Sequence, residues 1–317
     1  MNPFLYLFLL SSLLLLSLQS DLTFDRFLNQ VRGLPMKTIA VSGAAKDRGI
    51  ADSVLFGDED KIIKVAKENN IDISDFKIVD SKDEIETSRM AVKYVHDGNA
   101  QMYMKGTINT KDFLKAILDK KIGLRTGRPL STVAVFEVEG LSKMLFLTDS
   151  AVMPYPTLEE KVHIIYNTID ICNACGIKTP KVAPLATVEV VNQKMPETVE
   201  AAKLKEMNER GEITGCIIDG PLSMDLAIDP VAAVEKKATN RKIVGDADVL
   251  LFPNIHGANF AYKILTHVAK SKSAIIMTGS SMPVVLTSRS DSFESKLNSI
   301  ILAVVYAEHI KNKVAEI

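Results

Sequence analysis

Short apolar segments recur along the chain, separated by stretches in which apolar residues have helical spacing. The segments are nearly continuous runs of aliphatic and aromatic residues rather than alternations of apolar and polar residues. Continuous runs indicate strands covered on both faces, as in α/β proteins, where helices lie on both sides of a sheet. After an early strand at Thr38–Val41, the clearest segments are SVLFGD (53–58), FKIVD (76–80), AQMYMKG (100–106), VAVFEV (133–138), MLFLTDS (144–150), KVAPLATV (181–188), GCIIDGP (215–221), ADVLLFPN (247–254), SAIIMTG (273–279) and VVLTS (284–288).

Helices are predicted between these strands. The clearest one begins after Pro156, where Thr157 and Glu160 have the spacing of a capping box. The apolar positions that follow it at helical spacing are Val162, Ile165, Ile169 and Cys172. The alternation of strands and helices predicts the α/β class, with two sheets and a cleft between them.

Many of the predicted strands end in glycine or in polar residues. In open α/β sheets, ligands bind beyond the carboxyl ends of the strands. Several of these ends carry groups that can bind an anion, so we expect them to share one site. The ends are Lys105-Gly106, Thr148-Asp149-Ser150, Asp219-Gly220, Asn254, Thr278-Gly279 and Ser288-Arg289.

The segment VVLTSRSDSFESKLNSI (284–300) leads from a predicted strand into a predicted amphipathic helix. Ser288 and Asp291 have the spacing of a capping signature, and the free N–H groups of a helix start form an anion site. Arg289 adds a planar set of donors suited to phosphate. Two interpretations remain open from the pattern: an anion site, or ordinary capping with a solvated arginine.

Two further segments have the composition of phosphate sites. A lysine beside a glycine, as in Lys105-Gly106, can meet a phosphate as a point charge. The turn GLRTGR (123–128) is basic and bracketed by glycines, so its backbone can form an anion nest. A surface lysine and a surface loop are the alternatives. Asp149 and Asp219, at strand ends, are candidates for a general base or for helix caps.

Charge and composition exclude several functions. Of 317 residues, 47% are hydrophobic, and 38 basic side chains balance 39 acidic ones to give a net charge of −1. No overall field attracts nucleic acid, so a nucleic-acid partner is not expected and any bound anion must be held by local groups. The chain has no GxxxxGK[ST], GxGxxG or GxSxG motif, and its five histidines have no metal-ligand spacing.

The three cysteines indicate a reducing compartment rather than a disulfide framework. Cys172 and Cys175 form a CxxC, but it lies late in a predicted helix, where the dipole disfavours a thiolate. Two small buried residues are therefore a better interpretation than a redox or metal site.

The first 20 residues are strongly apolar and carry no charged side chain. This stretch has the length of a signal-peptide core, but no basic residue precedes it and its end is a poor cleavage site. Export, a membrane anchor and a misplaced start codon remain open, so membrane contact through residues 1–20 is not excluded.

Several long motifs, in one order, resemble the phosphate acetyl/butyryl transferase family, and its phosphate butyryltransferase branch most closely. The resemblance runs from about Phe24 to the C-terminus. The motifs are MKGTINTKDFLKAILDKKIGLRTGRPLSTVAVFE, LFLTDSA, KVAPLATVEVVNQKMPET, GCIIDGPLSMDLAI, NFAYK and PVVLTSRSDSFESKLNSI.

The resemblance implies two three-layer α/β/α domains of the isocitrate/isopropylmalate dehydrogenase type, with a cleft between them. The first domain would comprise residues 21–140 plus 288–317 and the second residues 141–287, after an extension of residues 1–20. It also implies a cytoplasmic protein, with anchoring or export through the extension as the alternative.

The activity implied is direct, reversible transfer of a short-chain acyl group, butyryl by the closer branch, between CoA and phosphate. The family needs no tightly bound cofactor and no metal; a CoA thioester is the substrate. Among the catalytic residues implied, Ser288 and Arg289 hold the phosphoryl or acyl oxygen. Asp291 is the first choice for the base that takes the thiol proton, and Asp219 the second. The substrate-binding residues implied are Lys105, Gly106, Arg125, Thr126, Gly127, Asp149 and Asn259.

The sequence departs from the family pattern at three places. Ser295 stands where the acetyl branch has a further Asp, and Thr132 stands where the butyryl branch usually has a histidine. Only residues 42–52 separate the first two predicted strands, which is at or below the length that a parallel crossover needs. We therefore expect a distorted first unit or a displaced second strand.

Two alternative functions stay open. The short crossover and the apolar extension suggest a catalytically degenerate homologue that binds CoA-type ligands or partners, and a dehydrogenase of the same fold is the other alternative. We also expect a homodimer or a higher homo-oligomer, because the C-terminal helix carries more apolar residues than one face can bury. Those residues are Ile301, Leu302, Val304, Val305 and Tyr306.

Overall fold

The structure is a computed structural model that describes residues 23–26, 37–40, 50–288 and 290–315. The apolar extension at residues 1–20 and the side chain of Arg289 therefore lie outside the described residues. No helix in the described ranges is long and apolar enough to span a bilayer.

The described strands form one sheet rather than the two that we predicted. The sheet is continuous because β5 pairs with β10 on one side and with β6 on the other. Its order is β3-β2-β1-β4-β11-β10-β5-β6-β9-β7-β8. The strands are β1 Lys37–Ala40, β2 Ala51–Gly57, β3 Lys77–Asp80, β4 Met102–Met104, β5 Ser131–Glu137, β6 Leu145–Thr148, β7 Lys181–Pro184, β8 Ile217–Ile218, β9 Val249–Leu251, β10 Lys272–Thr278 and β11 Val284–Val285.

The sheet contains two groups of parallel strands that run in opposite directions. β3, β2, β1, β4 and β11 are parallel, and so are β6, β9, β7 and β8. Between the groups, β11–β10, β10–β5 and β5–β6 are all antiparallel pairs. The first group therefore ends at one edge of the sheet, here called the first edge, and the second group ends at the opposite edge, the second edge. The expectation that all polar strand ends share one site is wrong for this reason.

Helices cover both faces of the sheet. The alternation along β10 separates the faces, because Ile276 packs in one apolar cluster while Ile275 and Met277 pack in two clusters on the other side. The helices are α1 Glu59–Glu68, α2 Glu84–His96, α3 Thr110–Ile117, α4 Leu158–Ala174, α5 Pro196–Glu209, α6 Met224–Ile228, α7 Pro230–Glu235, α8 Ile255–Lys263, continued by a π-helical turn at Ile264–Val268, and α9 Phe293–Ala315. The predicted capping box of α4 is present.

The C-terminal helix α9 is buried within the chain itself. Its five apolar residues that suggested an oligomer interface are at most 5% exposed. They belong to the large cluster that α9 shares with α4 and with β10. The stated reason for expecting a homo-oligomer is therefore wrong, because the sheet and a second helix together cover more than one face of α9.

The first crossover does not displace the second strand. β1 and β2 are parallel neighbours, with Lys37 paired with Ala51 and Ala40 with Val54. The expected displacement of β2 is therefore wrong. The connection itself lies mostly outside the described residues.

The CxxC cysteines are buried and unpaired, as predicted. Cys172 and Cys175 are both free thiols in the core, and burial raises the pKa of each above its ordinary value. A thiolate is disfavoured at both positions, which agrees with a packing role.

Asp219, which follows β8, is the centre of a buried ion cluster at the second edge. Lys205 Nζ donates to its Oδ1 over 2.9 Å, and the Arg241 guanidinium donates to both oxygens over 3.0 and 3.1 Å. The backbone N–H groups of Lys242 and Ile243 donate to Oδ2. Burial alone would raise the pKa of Asp219, but Arg241 and Lys205 outweigh burial and lower it below its ordinary value. The cluster ties α5 to the 241–243 loop.

We expect Asp219→Asn to lower the free energy of unfolding by about 2–3 kcal/mol at pH 7, because it removes the buried charge that accepts hydrogen bonds from the half-buried Arg241 and Lys205. A carboxylate with a lowered folded pKa stabilises the protein above its unfolded pKa of about 3.9, and this contribution is lost as the pH falls further. The difference between variant and wild type should therefore shrink below about pH 4. Urea unfolding across pH measures it.

Asp225→Asn is the matched control. Asp225 pairs with Lys236 at the surface, where both side chains are partly exposed. An exposed pair contributes roughly 1 kcal/mol or less. Equal losses in the two variants would show that the Asp219 cluster is not a buried stabilising element.

Candidate active site

Ser288 and Asp291 form a hydrogen-bonded turn beyond the end of β11. The Ser288 N–H donates to Asp291 Oδ2 over 2.6 Å, and the Asp291 N–H donates to the Ser288 carbonyl over 3.2 Å. Helix α9 begins later, at Phe293, and Ser292 Oγ accepts from the Ser295 N–H in the manner of an N-cap. The prediction that Ser288 and Asp291 cap the helix is therefore wrong, because they close a separate turn in front of it.

Asp291 is buried and held by Tyr262 from the neighbouring helix α8. It is 7% exposed, and the Tyr262 hydroxyl donates to its Oδ2 over 2.9 Å. Burial, followed by the charge of Asp291, raises the pKa of Tyr262 above its ordinary value, so Tyr262 stays a donor. Among the described residues, Asp291 Oδ1 is buried without a hydrogen-bond partner. One carboxylate oxygen is thus anchored, while the other has no hydrogen-bond partner among the described residues.

Lys263, the last residue of α8, reaches the same turn. Its Nζ lies 3.1 Å from Ser288 Oγ and 3.5 Å from Ser290 Oγ. Lys263 was not predicted from the sequence, because a lysine at the end of a helix is expected from the helix dipole alone. The motif NFAYK, which contains it, was the only available signal.

Lys105 and Gly106 lie at the first edge, alongside this turn. β4 is parallel to β11, with Met104 opposite Val285, and the Lys105 N–H donates to the Val285 carbonyl over 3.0 Å. The Lys105 side chain is largely buried, with its Nζ 3.4 Å from the Gly106 carbonyl. The first edge therefore brings together Lys105, Gly106, Ser288 and Asp291 from the predicted set.

The predicted Arg125 turn lies at the other edge. Arg125 forms a β-bridge with Ser280, just beyond the end of β10, and Thr126 Oγ1 donates to the Gly279 carbonyl over 2.6 Å. Gly127 has φ +89°, which favours glycine. Val285 pairs with Ile276, so Ser288 and Ser280 lie seven residues apart along the sheet. At ~3.3 Å per residue, the two turns are roughly 20 Å apart.

Asp149 is an internal anchor at the second edge. Its Oδ1 accepts hydrogen bonds from the N–H and hydroxyl of Thr132 and from the N–H groups of Ala151 and Val152. Its Oδ2 accepts from the Met153 N–H over 2.8 Å. Burial raises the pKa of Asp149, while these hydrogen bonds oppose the rise. Thr132, found in place of the family's usual histidine, thus helps to fix the loop that follows β6.

Asn259 also supports this loop. Its side-chain amide donates to the Ser150 carbonyl over 3.1 Å, which joins α8 to the end of β6. Asp149, Asn259 and Asp219 thus all bond to protein groups. Asp219 is saturated by its cluster and lies at the second edge, which argues against its use as a base at the Ser288 turn.

An apolar cavity of about 350 Å³ opens at the second edge. It lies beyond the ends of β7 and β9, and Gly257 in the first turn of α8 reaches it. Lys263 is six residues further along α8, about 9 Å away. The cavity is therefore separate from the Ser288 turn. Its lining residues are Leu185, Ala186, Thr187, Met195, Glu197, Met224, Phe252, Pro253 and Gly257.

The first edge thus combines cations, hydroxyl donors and one buried carboxylate. Ammonium groups and hydroxyls suit a phosphate or an oxyanion, and a carboxylate with an unbonded oxygen suits proton transfer. No three His, Cys, Asp or Glu side chains of the described residues are placed to hold a metal ion.

Comparison with known proteins gives consistent matches. The family model described as phosphate acetyl/butaryl transferase matches residues 83–304. A phosphate butyryltransferase of Clostridium beijerinckii is 46% identical over 91% of this chain and 99% of its own. A phosphate acetyltransferase of Thermotoga maritima is 42% identical over 84% of this chain and 90% of its own.

A solved structure agrees with these matches. The crystal structure of a branched-chain phosphotransacylase from Enterococcus faecalis has a TM-score of 0.76 and 31% sequence identity. The match covers 86% of this chain and 100% of that chain. The resemblance found in the motifs is thereby confirmed, and the chain belongs to the phosphate acetyl/butaryl transferase family.

Proposed function

We propose that this chain transfers a short-chain acyl group, butyryl in the first instance, reversibly between CoA and inorganic phosphate at the Ser288–Asp291 turn. One observation carries the proposal: an ammonium group, a hydroxyl and a buried carboxylate meet in this single hydrogen-bonded turn, and one oxygen of the carboxylate is bonded by no described residue. The family membership and the 46% identity to a phosphate butyryltransferase support the choice of reaction.

The reaction needs no covalent enzyme intermediate. In the direction of acyl phosphate, a phosphate oxygen attacks the thioester carbonyl carbon and a tetrahedral oxyanion forms. The carbon–sulfur bond then breaks, and the phosphate proton is passed to the departing sulfur, so that acyl phosphate and CoA thiol result. In the reverse direction a base must take the thiol proton before sulfur attacks the acyl phosphate.

The residues of the first edge match these tasks. Ser288 and Arg289 hold the phosphoryl or acyl oxygen, and Lys105 with Gly106 contacts the phosphate from the adjacent strand end. Asp291 takes the proton, since no described residue bonds its Oδ1 while its Oδ2 is anchored. Ser295, in place of the further Asp of the acetyl branch, bonds Ser273 Oγ over 2.9 Å and supplies no second carboxylate.

The Arg125 turn binds a different part of the same substrate. Acyl-CoA carries its phosphate groups at the end remote from the thioester, so a cationic turn roughly 20 Å from Ser288 suits that end. Thr126 and Gly127 fix the turn that presents Arg125. Asp149 and Asn259 support the site by holding the loop after β6 rather than by contacting substrate.

The two parallel strand groups support the isocitrate dehydrogenase-like division into two domains with a cleft. We infer residues 21–140 plus the C-terminal segment for the first domain. β11 pairs with β4 in the first strand group, so the return to this domain comes before Val284 rather than at Ser288. A homo-oligomer and a cytoplasmic location stay predictions.

The activity is tested by thiol release from butyryl-CoA in the presence of phosphate. We expect turnover by the wild type, and a fall in kcat/KM of about 100- to 1000-fold in Ser288→Ala, the usual cost of removing one oxyanion donor. The control is Ser281→Ala, an exposed serine at the second edge. Binding of butyryl-CoA without turnover in the wild type would instead identify a degenerate homologue.

Asp291→Asn tests the base. The amide keeps an oxygen that can accept from Tyr262 and Ser288 but cannot take a proton, so we expect kcat to fall by about 100- to 10,000-fold. Asp60→Asn, at an exposed position of α1, should behave as wild type. Unchanged kcat in Asp291→Asn would assign proton transfer to another group.

Arg125→Met tests whether the Arg125 turn binds the phosphate end of CoA while the Ser288 turn binds the thioester and the transferred phosphate. We expect the KM for butyryl-CoA to rise by about tenfold, the loss of one charged hydrogen bond, while the KM for phosphate stays within about twofold. Arg210→Met, at the exposed end of α5, is the control. A rise in the KM for phosphate alone would contradict a CoA-binding role for Arg125 and would place its side chain at the transferred phosphate.

A further inference from the structure

Lys263 is held above the Ser288 turn by contacts from three sides. Its Nζ lies 3.1 Å from Ser288 Oγ, 3.5 Å from Ser290 Oγ and 5.1 Å from the centre of the Tyr262 ring. An ammonium group over an aromatic face is attracted by the ring. Tyr262 is itself fixed by its hydrogen bond to Asp291. The position of the ammonium group is therefore tied to the turn.

This contact determines the direction of the Ser288 hydroxyl. A lysine ammonium group has three donors and no acceptor, so Ser288 Oγ must accept the hydrogen bond from Lys263. The hydroxyl proton then has to point elsewhere. Its choices are Ser290 Oγ, 3.1 Å away, or an oxygen atom of a bound substrate.

The charge of Lys263 is not neutralised by an ion pair in the described part of the chain. The nearby Asp291 is engaged by Tyr262 and by the Ser288 N–H instead. Many other lysines do pair, such as Lys143 with Asp248 and Lys205 with Asp219. An unpaired cation that donates to a hydroxyl makes that hydroxyl a stronger donor, since charge-assisted hydrogen bonds polarise their neighbours.

We propose that Lys263 is a positioning residue for acyl transfer: it orients and polarises the Ser288 hydroxyl so that its proton points at the oxygen that becomes negative during the reaction. This inference rests on the proposed function and adds a residue to it. Lys263 acts through Ser288, and its effect should therefore depend on the presence of the Ser288 hydroxyl.

A double-mutant cycle on the full chain tests the proposal, with butyryl-CoA and phosphate as substrates. We expect Lys263→Met to lower kcat by roughly ten- to a hundredfold, as for a lost hydrogen bond to a charged group, with little change in either KM. In the Ser288→Ala background, the same substitution should lower kcat by less than about twofold, because its target is gone. Lys263→Arg should restore part of the activity.

Lys203→Met, at an exposed position of α5, is the control for loss of one positive charge. Equal losses from Lys263→Met with and without the Ser288 hydroxyl would overturn the proposal and indicate direct contact with substrate or a general structural role. Normal kcat in Lys263→Met, with impaired Ser288→Ala, would also overturn it while leaving the proposed function intact. An inactive wild type would instead contradict the proposed function itself.

Discussion

The three antiparallel pairs β11–β10, β10–β5 and β5–β6 are the constraint on which the site depends. Together they join two parallel strand groups into one sheet and reverse the strand direction between them. Because strand ends carry the polar residues, the reversal sends Lys105 and Ser288 to one edge and Asp149 and Arg125 to the other. Under the proposed function, the substrate meets both edges and is therefore long, with distinct chemistry at its two ends, as an acyl-CoA is.

Much of the fold could be predicted from the sequence, because buried parallel strands leave continuous apolar runs. The strands at 53–58 and 273–279 lie within one or two residues of β2 and β10, and the capping box at Thr157 starts α4. Whether neighbouring strands are parallel or antiparallel could not be predicted, because a run of apolar residues contains no information about the orientation of its neighbour. Two sheets were therefore expected where one continuous sheet exists.

The candidate site could also be predicted only in part. Ser288 and Asp291 were identified because hydroxyl and carboxyl groups three residues apart have a strong local signature. The signature was predicted to be the N-cap of the helix, which is wrong. The N-cap is Ser292, which accepts from the Ser295 N–H, whereas Asp291 accepts from the Ser288 N–H in a separate turn. The ion cluster around Asp219 could not be predicted, because its Arg241 partner lies 22 residues away in a loop and no local pattern connects the two residues.

The electrostatic character of the candidate site depends on which cations are paired with carboxylates rather than on how many cations are present. The chain has almost equal numbers of acidic and basic side chains, and at the second edge Lys205 and Arg241 both pair with Asp219. Paired cations attract an added anion weakly, because their field is largely cancelled at short range. At the first edge Lys263 is held by hydroxyls and an aromatic ring, which position its charge without cancelling it. Under the proposed function, that arrangement is what lets a chain of nearly zero net charge bind a doubly negative phosphate.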